Sequence, residues 1–322
     1  MKSYELPNNV LTSVPEPLVS VRTSTYNHGK YIRQCIEGVL MQKTDFPFEY
    51  IIGEDCSTDD TMDIVKEYAE KYPDLIRVVT ADRNVGMKGN GVRCIERCRG
   101  KYIAICEGDD YWTDPFKLQK QVDFLESHPQ MGVCATECNW YVQKTGQLEP
   151  VPSTRKYLYG VEDFMENNQV YTLTTLVRAD WVREYQFDVA PLLPSFRMGD
   201  YSMWLYLLSK SPIVKLNEYT CVYRVLENSA SHFKSAFQQM KFAMASFDIR
   251  CYFNELMGYH VPRMKYRKWR DTYRICRNMK SKKIHVLYLF FRCAVWMMLH
   301  PVPRPSRAIR KHLVALQSAG IC

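Results

Sequence analysis

The stretch at residues 102–115 reads YIAICEGDDYWTDP, in which an apolar run leads directly into an acidic cluster. A short apolar run bounded by turn residues is typical of a strand buried on both faces. Open α/β sheets bind ligands just outside the carboxyl ends of such strands, which is where Glu107, Asp109 and Asp110 stand. Because crowded carboxylates raise one another's pKa unless a cation offsets them, the cluster predicts a Mg²⁺ or Mn²⁺ site. A solvated turn that leads into a helix at Asp114-Pro115 is the simpler alternative.

The region before this stretch alternates apolar runs with polar loops. Short apolar runs predict strands, and apolar residues at helical spacing predict the helices between them. The pattern therefore predicts a mixed α/β fold, with a central sheet flanked by helices. The predicted strands are residues 19–23, 50–53, 76–79 and 102–106, and the predicted helices are residues 32–40, 62–68 and 91–98.

Three polar signatures occur in order along this part of the chain. They read VSVRTSTYN at residues 19–27, EDCSTDDT at residues 54–61 and EGDDYW at residues 107–112. Together they resemble the inverting family 2 glycosyltransferases, which have the nucleotide-diphosphosugar transferase (GT-A) fold. The resemblance is good over residues 17–145 and extends to about residue 232. The third signature looks like that of the bacterial polysaccharide-building members of the family.

The resemblance implies a nucleotide-sugar donor site. Ser24, Thr25 and Tyr26 would hold the nucleoside through hydroxyl and backbone N–H groups. Asp55 would accept the N3–H of a uracil ring, because a buried carboxylate rejects bases that present an acceptor there. A UDP-sugar donor is therefore favoured, although thymine presents the same N–H group.

The resemblance also implies roles for the acidic cluster. Asp109 and Asp110, with Glu107 ranked third, would hold the metal and the sugar ring, and the metal would neutralise the departing diphosphate. Many relatives have Asp where Glu107 stands. Many also carry an Ala-Arg-Asn triplet whose Arg reaches the diphosphate, whereas the matching stretch after Lys88 reads GNGV. Lys88 or Arg93 would have to substitute for that Arg.

The second half of the chain should supply the base that takes the proton of the acceptor hydroxyl. The resemblance assigns this role to Asp200, which opens an apolar helix; the alternative is that Asp200 only caps the helix. Arg224 and His232 lie where relatives close a loop over the donor, and they would contact phosphate unless they are surface charges. The chain lacks the QxxRW signature of processive synthases, so one sugar is expected per transfer.

Charge is unevenly distributed along the chain. The net charge is +8, but residues 233–322 carry 18 Lys and Arg against 3 Asp and Glu, or +15, which leaves −7 for residues 1–232. In the basic part, residues 284–299 form an apolar run that is too short to span a bilayer. The run suits either a helix lying at a membrane surface or a helix packed on the catalytic domain. No nucleic-acid motif accompanies the charge, so no nucleic-acid partner is expected.

Composition predicts a cytoplasmic protein, with peripheral contact to the inner face of the cell membrane. Residues 1–17 contain no apolar segment of the kind that a secretory signal has. The chain has 12 cysteines but no small-domain disulfide framework, so reduced thiols are expected. Two Cys-x3-Cys pairs, at residues 94–98 and 134–138, have spacings that also suit zinc, but both fall in predicted core elements.

The expected activity is the transfer of one sugar, with inversion, from a UDP-sugar to a glycan or lipid-linked acceptor in cell-surface polysaccharide biosynthesis. A nucleotidyltransferase shares the sheet and metal chemistry, but it would need a Gly-rich basic loop after the first strand. A catalytically inactive membrane or polysaccharide adaptor is the non-enzyme alternative.

The expected organisation has three parts: an N-terminal lead (1–16), a catalytic domain (17–232) and a basic helical extension (233–322). The catalytic domain is expected to have a donor half (17–115) and an acceptor half (116–232), with an inner strand at residues 172–178.

Overall fold

The structure is a computed structural model of the whole chain. It describes residues 3–7, 16–153, 155–226, 236–261 and 304–318, together with positions 270, 291, 294, 295 and 298. The described strands are β1 (Ser3–Glu5), β2 (Val19–Thr25), β3 (Phe48–Glu54), β4 (Ile76–Ala81), β5 (Tyr102–Ile105), β6 (Tyr111–Trp112), β7 (Val133–Val142), β8 (Gln147–Pro150), β9 (Leu158–Tyr159), β10 (Leu176–Arg178) and β11 (Ile213–Val225). The described α-helices are α1 (Ile32–Leu40), α2 (Thr61–Lys71), α3 (Gly86–Arg97), α4 (Lys117–Ser127), α5 (Val161–Glu166), α6 (Ala179–Glu184), α7 (Gly199–Leu207), α8 (Ala236–Leu256) and α9 (Arg307–Ser318).

The strands form one mixed sheet. Its order is β1-β4-β3-β2-β5-β10-β7-β11-β6, with β8 paired to β7 and β9 paired to β11. Strands β4, β3, β2 and β5 run parallel, and β10 lies antiparallel between β5 and β7. The predicted mixed α/β sheet is confirmed, and the parallel part brings the polar loops after β3, β2 and β5 to one edge.

The helices cover the parallel part of the sheet with apolar faces at helical spacing. Helix α1 buries Ile32, Cys35, Ile36 and Val39, which join the same hydrophobic cluster as the sheet residues. Helix α3 begins at Gly86, five residues before the start predicted from sequence. The predicted start missed a first turn that is polar and glycine-rich, in which apolar periodicity gives no signal.

The predicted inner strand at residues 172–178 is only partly correct. Leu176–Arg178 pairs with β5 and β7, but Thr172–Thr174 is a 3₁₀ turn. The hydroxyl of Thr174 donates to the carbonyl of Tyr171, and that of Thr175 donates to the carbonyl of Thr172. Because threonine hydroxyls can bond to nearby backbone in this way, they favour the turn over a strand despite high β propensity.

The chain divides into two compact units. The first comprises residues 1–160, 169–188 and 211–225 and contains the sheet. The second comprises residues 161–168, 189–210 and 226–322. Two segments that the sequence analysis places in the acceptor half therefore group with the C-terminal residues.

The second unit is held together by side chains that bond to backbone carbonyls. The hydroxyl of Tyr201 on α7 donates to the carbonyl of Phe164 on α5. Arg250 on α8 donates to the carbonyl of Met165 at 3.0 Å, and the hydroxyl of Tyr259 donates to the carbonyl of Leu205 at 2.6 Å. These bonds link α7 and α8 to α5, and they link the segment after α8 to α7.

Two further observations concern the chemistry of the chain. The nine cysteines that the structure describes are free thiols, and seven of them are buried. Among the described residues, no helix is both long enough and apolar enough to cross a membrane.

Candidate active site

The candidate site lies at the carboxyl ends of β3, β2 and β5. Main-chain hydrogen bonds continue past the ends of these strands. The N–H of Asp55 donates to the carbonyl of Thr25 at 3.1 Å, and the N–H of Gly108 donates to the carbonyl of Ser24 at 3.1 Å. The residues predicted to bind the nucleoside and the metal are therefore adjacent in the first unit.

The loops after β2 and β3 are joined by hydrogen bonds. Asn27 adopts a left-handed conformation with φ 55°, which asparagine tolerates better than most residues. Its side-chain oxygen accepts from the N–H of Thr58 at 2.8 Å, and its own N–H donates to Ser57 Oγ at 2.9 Å. The N–H of His28 donates to Thr61 Oγ1 at 2.8 Å. The predicted nucleoside loop is therefore fixed to the second signature, and Tyr26 is exposed beside it.

The glycine in the acidic signature permits a close approach. A Cβ atom on Gly108 would lie 2.7 Å from Thr25 Oγ1 and 2.8 Å from His28 Nδ1. Any larger residue would push the turn of residues 107–110, called the acidic turn below, away from the first loop. Both polar atoms are buried and lack a hydrogen-bond partner among the described residues. Such groups, when they are held at the edge of a ligand site, are available to a ligand or to water.

Asp55 is buried and held by the start of α3. Its Oδ1 accepts from the N–H of Val85 at 2.9 Å, and its Oδ2 accepts from the N–H of Gly86 at 2.9 Å. Arg93 Nη2 lies 3.4 Å from Oδ1. Because each carboxylate oxygen has two lone pairs, Oδ2 can still accept a further hydrogen bond.

Arg93 and Lys88, the two candidates to replace the missing Arg, differ in environment. Arg93 is buried, and it donates to Asn90 Oδ1 at 2.9 Å and to the carbonyl of Glu54. Lys88 is exposed on the same helix. Arg93 therefore holds the end of β3 and the Asp55 carboxylate in place, whereas the side chain of Lys88 is open to solvent.

The acidic turn contains one deeply buried carboxylate. The N–H of Asp110 donates to the carbonyl of Glu107 at 3.0 Å, and Asp110 Oδ1 accepts from the N–H of Arg224 at 2.7 Å. Burial raises the pKa of Asp110 well above its ordinary value, and the nearby charges of Asp109 and Glu107 raise it further. Glu107 and Asp109 are half-buried. The turn thus concentrates negative charge that an incoming cation would offset.

The donor atoms at this turn suit a hard divalent cation. Carboxylate oxygens are the ligands that Mg²⁺ and Mn²⁺ prefer, and Mg²⁺ commonly takes only one or two of them along with substrate phosphates. In the described part of the chain, no three His, Cys, Asp or Glu side chains are arranged to hold a metal ion. The carboxylates of the acidic turn therefore match such a cation in chemical type.

Arg224, at the end of β11, contacts the acidic turn. Its Nε donates to the carbonyl of Asp109 at 2.8 Å. Its Nη1 donates to Gln143 Oε1 at 2.8 Å, and its Nη2 donates to Gln34 Oε1 at 2.6 Å. Neither glutamine belongs to a motif in the sequence, because each lies alone on a different element. His232 lies outside the described residues.

Asp200 belongs to the second unit, where it is the second residue of α7. Burial raises its pKa, while hydrogen bonds from the backbone of Tyr201 and Asp200 and from the side chain of Asn168 lower it. The net direction is upward. The carboxylate therefore bonds to N–H groups of the first helical turn, although Met198 rather than Asp200 is the N-cap residue of α7.

The family model for glycosyl transferase family 2 matches residues 20–176. A putative teichuronic acid biosynthesis glycosyltransferase of Bacillus subtilis is 32% identical over 223 residues, which are 67% of this chain and 82% of that protein. The chain belongs to glycosyl transferase family 2. The resemblance read from the three signatures is thus confirmed.

Other relatives differ in how much of their length is matched. An uncharacterized protein of Mycobacterium tuberculosis is 47% identical over 116 residues, which are 36% of this chain and only 34% of that protein. A UDP-Glc:α-D-GlcNAc-diphosphoundecaprenol β-1,3-glucosyltransferase of Escherichia coli is 29% identical over 231 residues, covering 69% of this chain and 84% of that protein. The chain thus spans about a third of the mycobacterial relatives that it matches.

Solved structures show the same fold. The TarS 1–349 structure of S. aureus in complex with UDP-GlcNAc aligns with a TM-score of 0.55 at 16% identity, covering 80% of each chain. A mannosyltransferase of Pyrobaculum calidifontis in complex with GDP-Man and Mn²⁺ aligns with a TM-score of 0.54 at 15% identity, covering 95% of this chain and 88% of that one. The predicted GT-A fold is confirmed.

Proposed function

We propose that this chain transfers one sugar from a UDP-sugar to a glycan or lipid-linked acceptor, with inversion, in cell-surface polysaccharide biosynthesis. The observation that carries the proposal is the adjacency of three parallel strand ends that present Thr25, Asp55 and the acidic turn. Membership of glycosyl transferase family 2 supports it, as do relatives named for teichuronic acid and for a diphosphoundecaprenol acceptor.

In the proposed donor complex, Ser24, Thr25 and Tyr26 hold the nucleoside. Asp55 accepts the N3–H of uracil through the remaining lone pair of Oδ2. The fixed position of this carboxylate supports base selectivity, because a base with an acceptor at that position would place two acceptors against each other and lose a hydrogen bond. The structural relative TarS binds UDP-GlcNAc, which is consistent with a uridine donor.

In the proposed metal site, Asp109 and Asp110 are the first candidate ligands and Glu107 is ranked third, and the donor's phosphates would supply further oxygen ligands. When bound, Mg²⁺ or Mn²⁺ would neutralise the negative charge on the departing diphosphate. The chain's own contribution is to hold the two aspartates beside the nucleoside loop, which the close approach at Gly108 permits. A structural relative whose complex contains Mn²⁺ supports this assignment.

The proposed chemical step is a direct displacement at the anomeric carbon. Asp200 takes the proton of the acceptor hydroxyl, and the acceptor oxygen forms a bond to that carbon. The bond from the same carbon to the diphosphate breaks, so UDP leaves and the configuration inverts. The raised pKa of Asp200 supports its assignment as the base.

We also propose peripheral contact with the inner face of the cell membrane through residues 284–299. Phe291, Val295 and Met298 are helical positions at the spacing of one helix face, and they are 66%, 36% and 70% exposed. Apolar side chains beside a strongly basic region favour an anionic lipid surface. Such contact would bring a lipid-linked acceptor close to the enzyme.

Donor turnover tests the proposed activity. Purified protein is incubated with Mn²⁺ or Mg²⁺ and with UDP-, GDP- and dTDP-sugars, and nucleoside diphosphate release is followed with and without chelator. We expect metal-dependent release from UDP-sugars alone. Release from another donor would overturn the uridine assignment, and pyrophosphate formation from a nucleoside triphosphate and a sugar phosphate would favour a nucleotidyltransferase. No release together with no UDP binding by calorimetry would favour the inactive adaptor.

Sedimentation with vesicles tests the membrane contact. We expect the protein to sediment with vesicles that contain anionic lipid and to remain in solution with neutral vesicles. The double variant Phe291→Ser/Met298→Ser should lose most of this binding. Leu148→Ser is the matched control, because Leu148 is 57% exposed but lies on β8 in the first unit. Equal sedimentation of both variants would contradict the assignment.

A further inference from the structure

Arg224 is buried although it is charged. The residue is only 6% exposed, and its guanidinium lies against three tyrosine rings, at 4.9 Å from the ring centre of Tyr31, 5.2 Å from Tyr111 and 5.4 Å from Tyr141. Burying a charge is unfavourable unless other groups compensate it. A planar guanidinium can obtain part of that compensation from aromatic faces.

The hydrogen-bond partners of the Arg224 guanidinium are neutral. Each of its three nitrogens donates to an oxygen of the protein, namely the carbonyl of Asp109 and the side-chain amides of Gln143 and Gln34. In the described part of the chain, no carboxylate lies within ion-pair distance of this guanidinium. Its positive charge therefore acts on the nearby acidic turn as a whole rather than on one carboxylate.

These partners come from separate elements of the first unit. Gln34 lies on α1, directly after the loop predicted to hold the nucleoside. Gln143 follows β7, and its N–H donates to the carbonyl of Val225 at 3.1 Å. Arg224 thus bonds to α1, to the end of β7 and to the acidic turn, where its own N–H also holds Asp110.

We propose that Arg224 is a positioning residue that fixes the acidic turn relative to α1 and the nucleoside loop. The inference rests on the proposed function, because its purpose would be to let one donor engage both regions at once. In a nucleoside diphosphate the base and the phosphates are covalently linked, so the distance between them is limited to a narrow range when the donor is bound. Fixing that separation in the protein lowers the cost of ordering the site when the donor binds.

This role differs from the phosphate contact predicted from the sequence. A phosphate contact depends on charge, which lysine would keep. A positioning role depends on the forked guanidinium, which can reach three acceptors at once, whereas a lysine ammonium is a single point donor. A positioning role also depends on Gln34, which a phosphate contact does not require.

The test compares UDP binding in the presence of Mn²⁺, by calorimetry, in the full-length protein and its variants. We expect Arg224→Lys and Arg224→Met each to weaken binding by about tenfold or more, since each loses charge-assisted hydrogen bonds. Gln34→Ala should weaken it by several-fold, and the double variant Arg224→Met/Gln34→Ala should bind as the single Arg224→Met variant does. With a UDP-sugar that proves active, the loss should appear in donor KM more than in acceptor KM.

Arg33→Met is the matched control, because Arg33 precedes Gln34 on α1 but its guanidinium pairs with Glu67 at the surface. It should bind UDP as the unaltered protein does. Thermal melting of each variant separates loss of binding from loss of folding, and the milder Gln34→Ala keeps the test valid if Arg224→Met unfolds.

Two outcomes would overturn the inference. Near-normal binding by Arg224→Lys together with no effect of Gln34→Ala would assign Arg224 a direct charge contact instead. Unchanged binding in all the variants would remove any role for Arg224 in the donor site. If the unaltered protein binds no UDP, the proposed function fails and this inference fails with it.

Discussion

At the amino ends of the parallel strands, Glu49 is 1% exposed and accepts a full set of hydrogen bonds. Its donors are Ser20 Oγ at 2.6 Å, Arg77 Nη1 at 2.9 Å, and Arg99 through its N–H at 2.7 Å and its Nε at 3.0 Å. Arg77 also pairs with Glu5, which ties β1 to the sheet. At the carboxyl ends of the same strands, Asp110 is also buried, but the charges of Asp109 and Glu107 raise its pKa.

The difference separates what stabilises the fold from what is available for chemistry. A buried carboxylate with basic partners is compensated within the protein, so its removal should mainly affect folding. A carboxylate crowded by like charges gains further compensation when a cation arrives, so its removal should mainly affect binding. Asp200 differs from both, because burial rather than a neighbouring charge raises its pKa.

The largest expected effect is the loss of sugar transfer when Asp200 is substituted. The substitution Asp200→Asn should lower the rate of sugar transfer by about a thousandfold, because an amide cannot accept the proton of the acceptor hydroxyl. UDP binding in the presence of Mn²⁺ should stay within about twofold of the unaltered protein, since Asp200 contributes no donor contact in the proposed mechanism. Steady-state kinetics and calorimetry measure the two quantities. Near-normal turnover in this variant would show that another residue is the base.

Substitution of Glu49 should lower the stability of the fold and leave UDP binding unchanged, in contrast to substitution of a site carboxylate. Glu49→Gln removes one partner of a buried ion network, so we expect the free energy of unfolding to fall by about 3–5 kcal/mol. UDP affinity of the folded protein should be unchanged. Urea unfolding followed by fluorescence measures the first quantity. Glu67→Gln is the matched control, because Glu67 forms an exposed pair with Arg33 and should leave the unfolding midpoint where it is. A loss of UDP binding in folded Glu49→Gln would break the comparison between the two strand ends.

The sequence predicted the carboxyl end of the sheet much better than the amino end. The signatures around Asp55 and Asp110 are continuous in the chain, so apolar runs followed by polar loops locate them. Glu49 and Arg77 meet through the pairing of β3 with β4, and Arg99 bonds to Glu49 from the loop before β5. Each appears in the sequence as an ordinary charged residue. Register decides which of them are neighbours, and a single sequence does not specify register for residues this far apart.

The contacts of Arg224 were missed for the same reason. Gln34 and Arg224 are far apart in the sequence, and neither glutamine belongs to a periodic pattern or a motif. The threonines at residues 172–175 were misjudged for a local reason, because their hydroxyls bond to the preceding backbone and compete with strand formation. The role of Asp55 in base recognition and that of Asp200 as the base remain predictions.

A smaller effect is expected at the carboxyl end, from Asp109→Ala. This variant should weaken Mn²⁺-dependent UDP binding by about a hundredfold, because one carboxylate ligand and its charge are lost. The unfolding midpoint should not fall, since the substitution also relieves repulsion within the acidic turn. Titration with and without Mn²⁺ gives the metal-dependent part of the affinity. If Asp109→Ala unfolds the protein but leaves metal-dependent binding intact, the two strand ends do not differ as described.

The smallest expected effect is a shift in the pH dependence of kcat/KM. Asp200 must be ionised to accept a proton, so kcat/KM should rise with pH through its pKa and level off above it. Because burial raises that pKa above the ordinary 3.8, the acidic limb should lie at higher pH than for an exposed aspartate. The hydrogen bond from Asn168 lowers the pKa, so Asn168→Ala should move the limb to still higher pH while the plateau rate changes little. UDP binding measured over the same pH range separates this effect from titration of the donor site, and an unmoved limb in Asn168→Ala would assign the limb to a group other than Asp200.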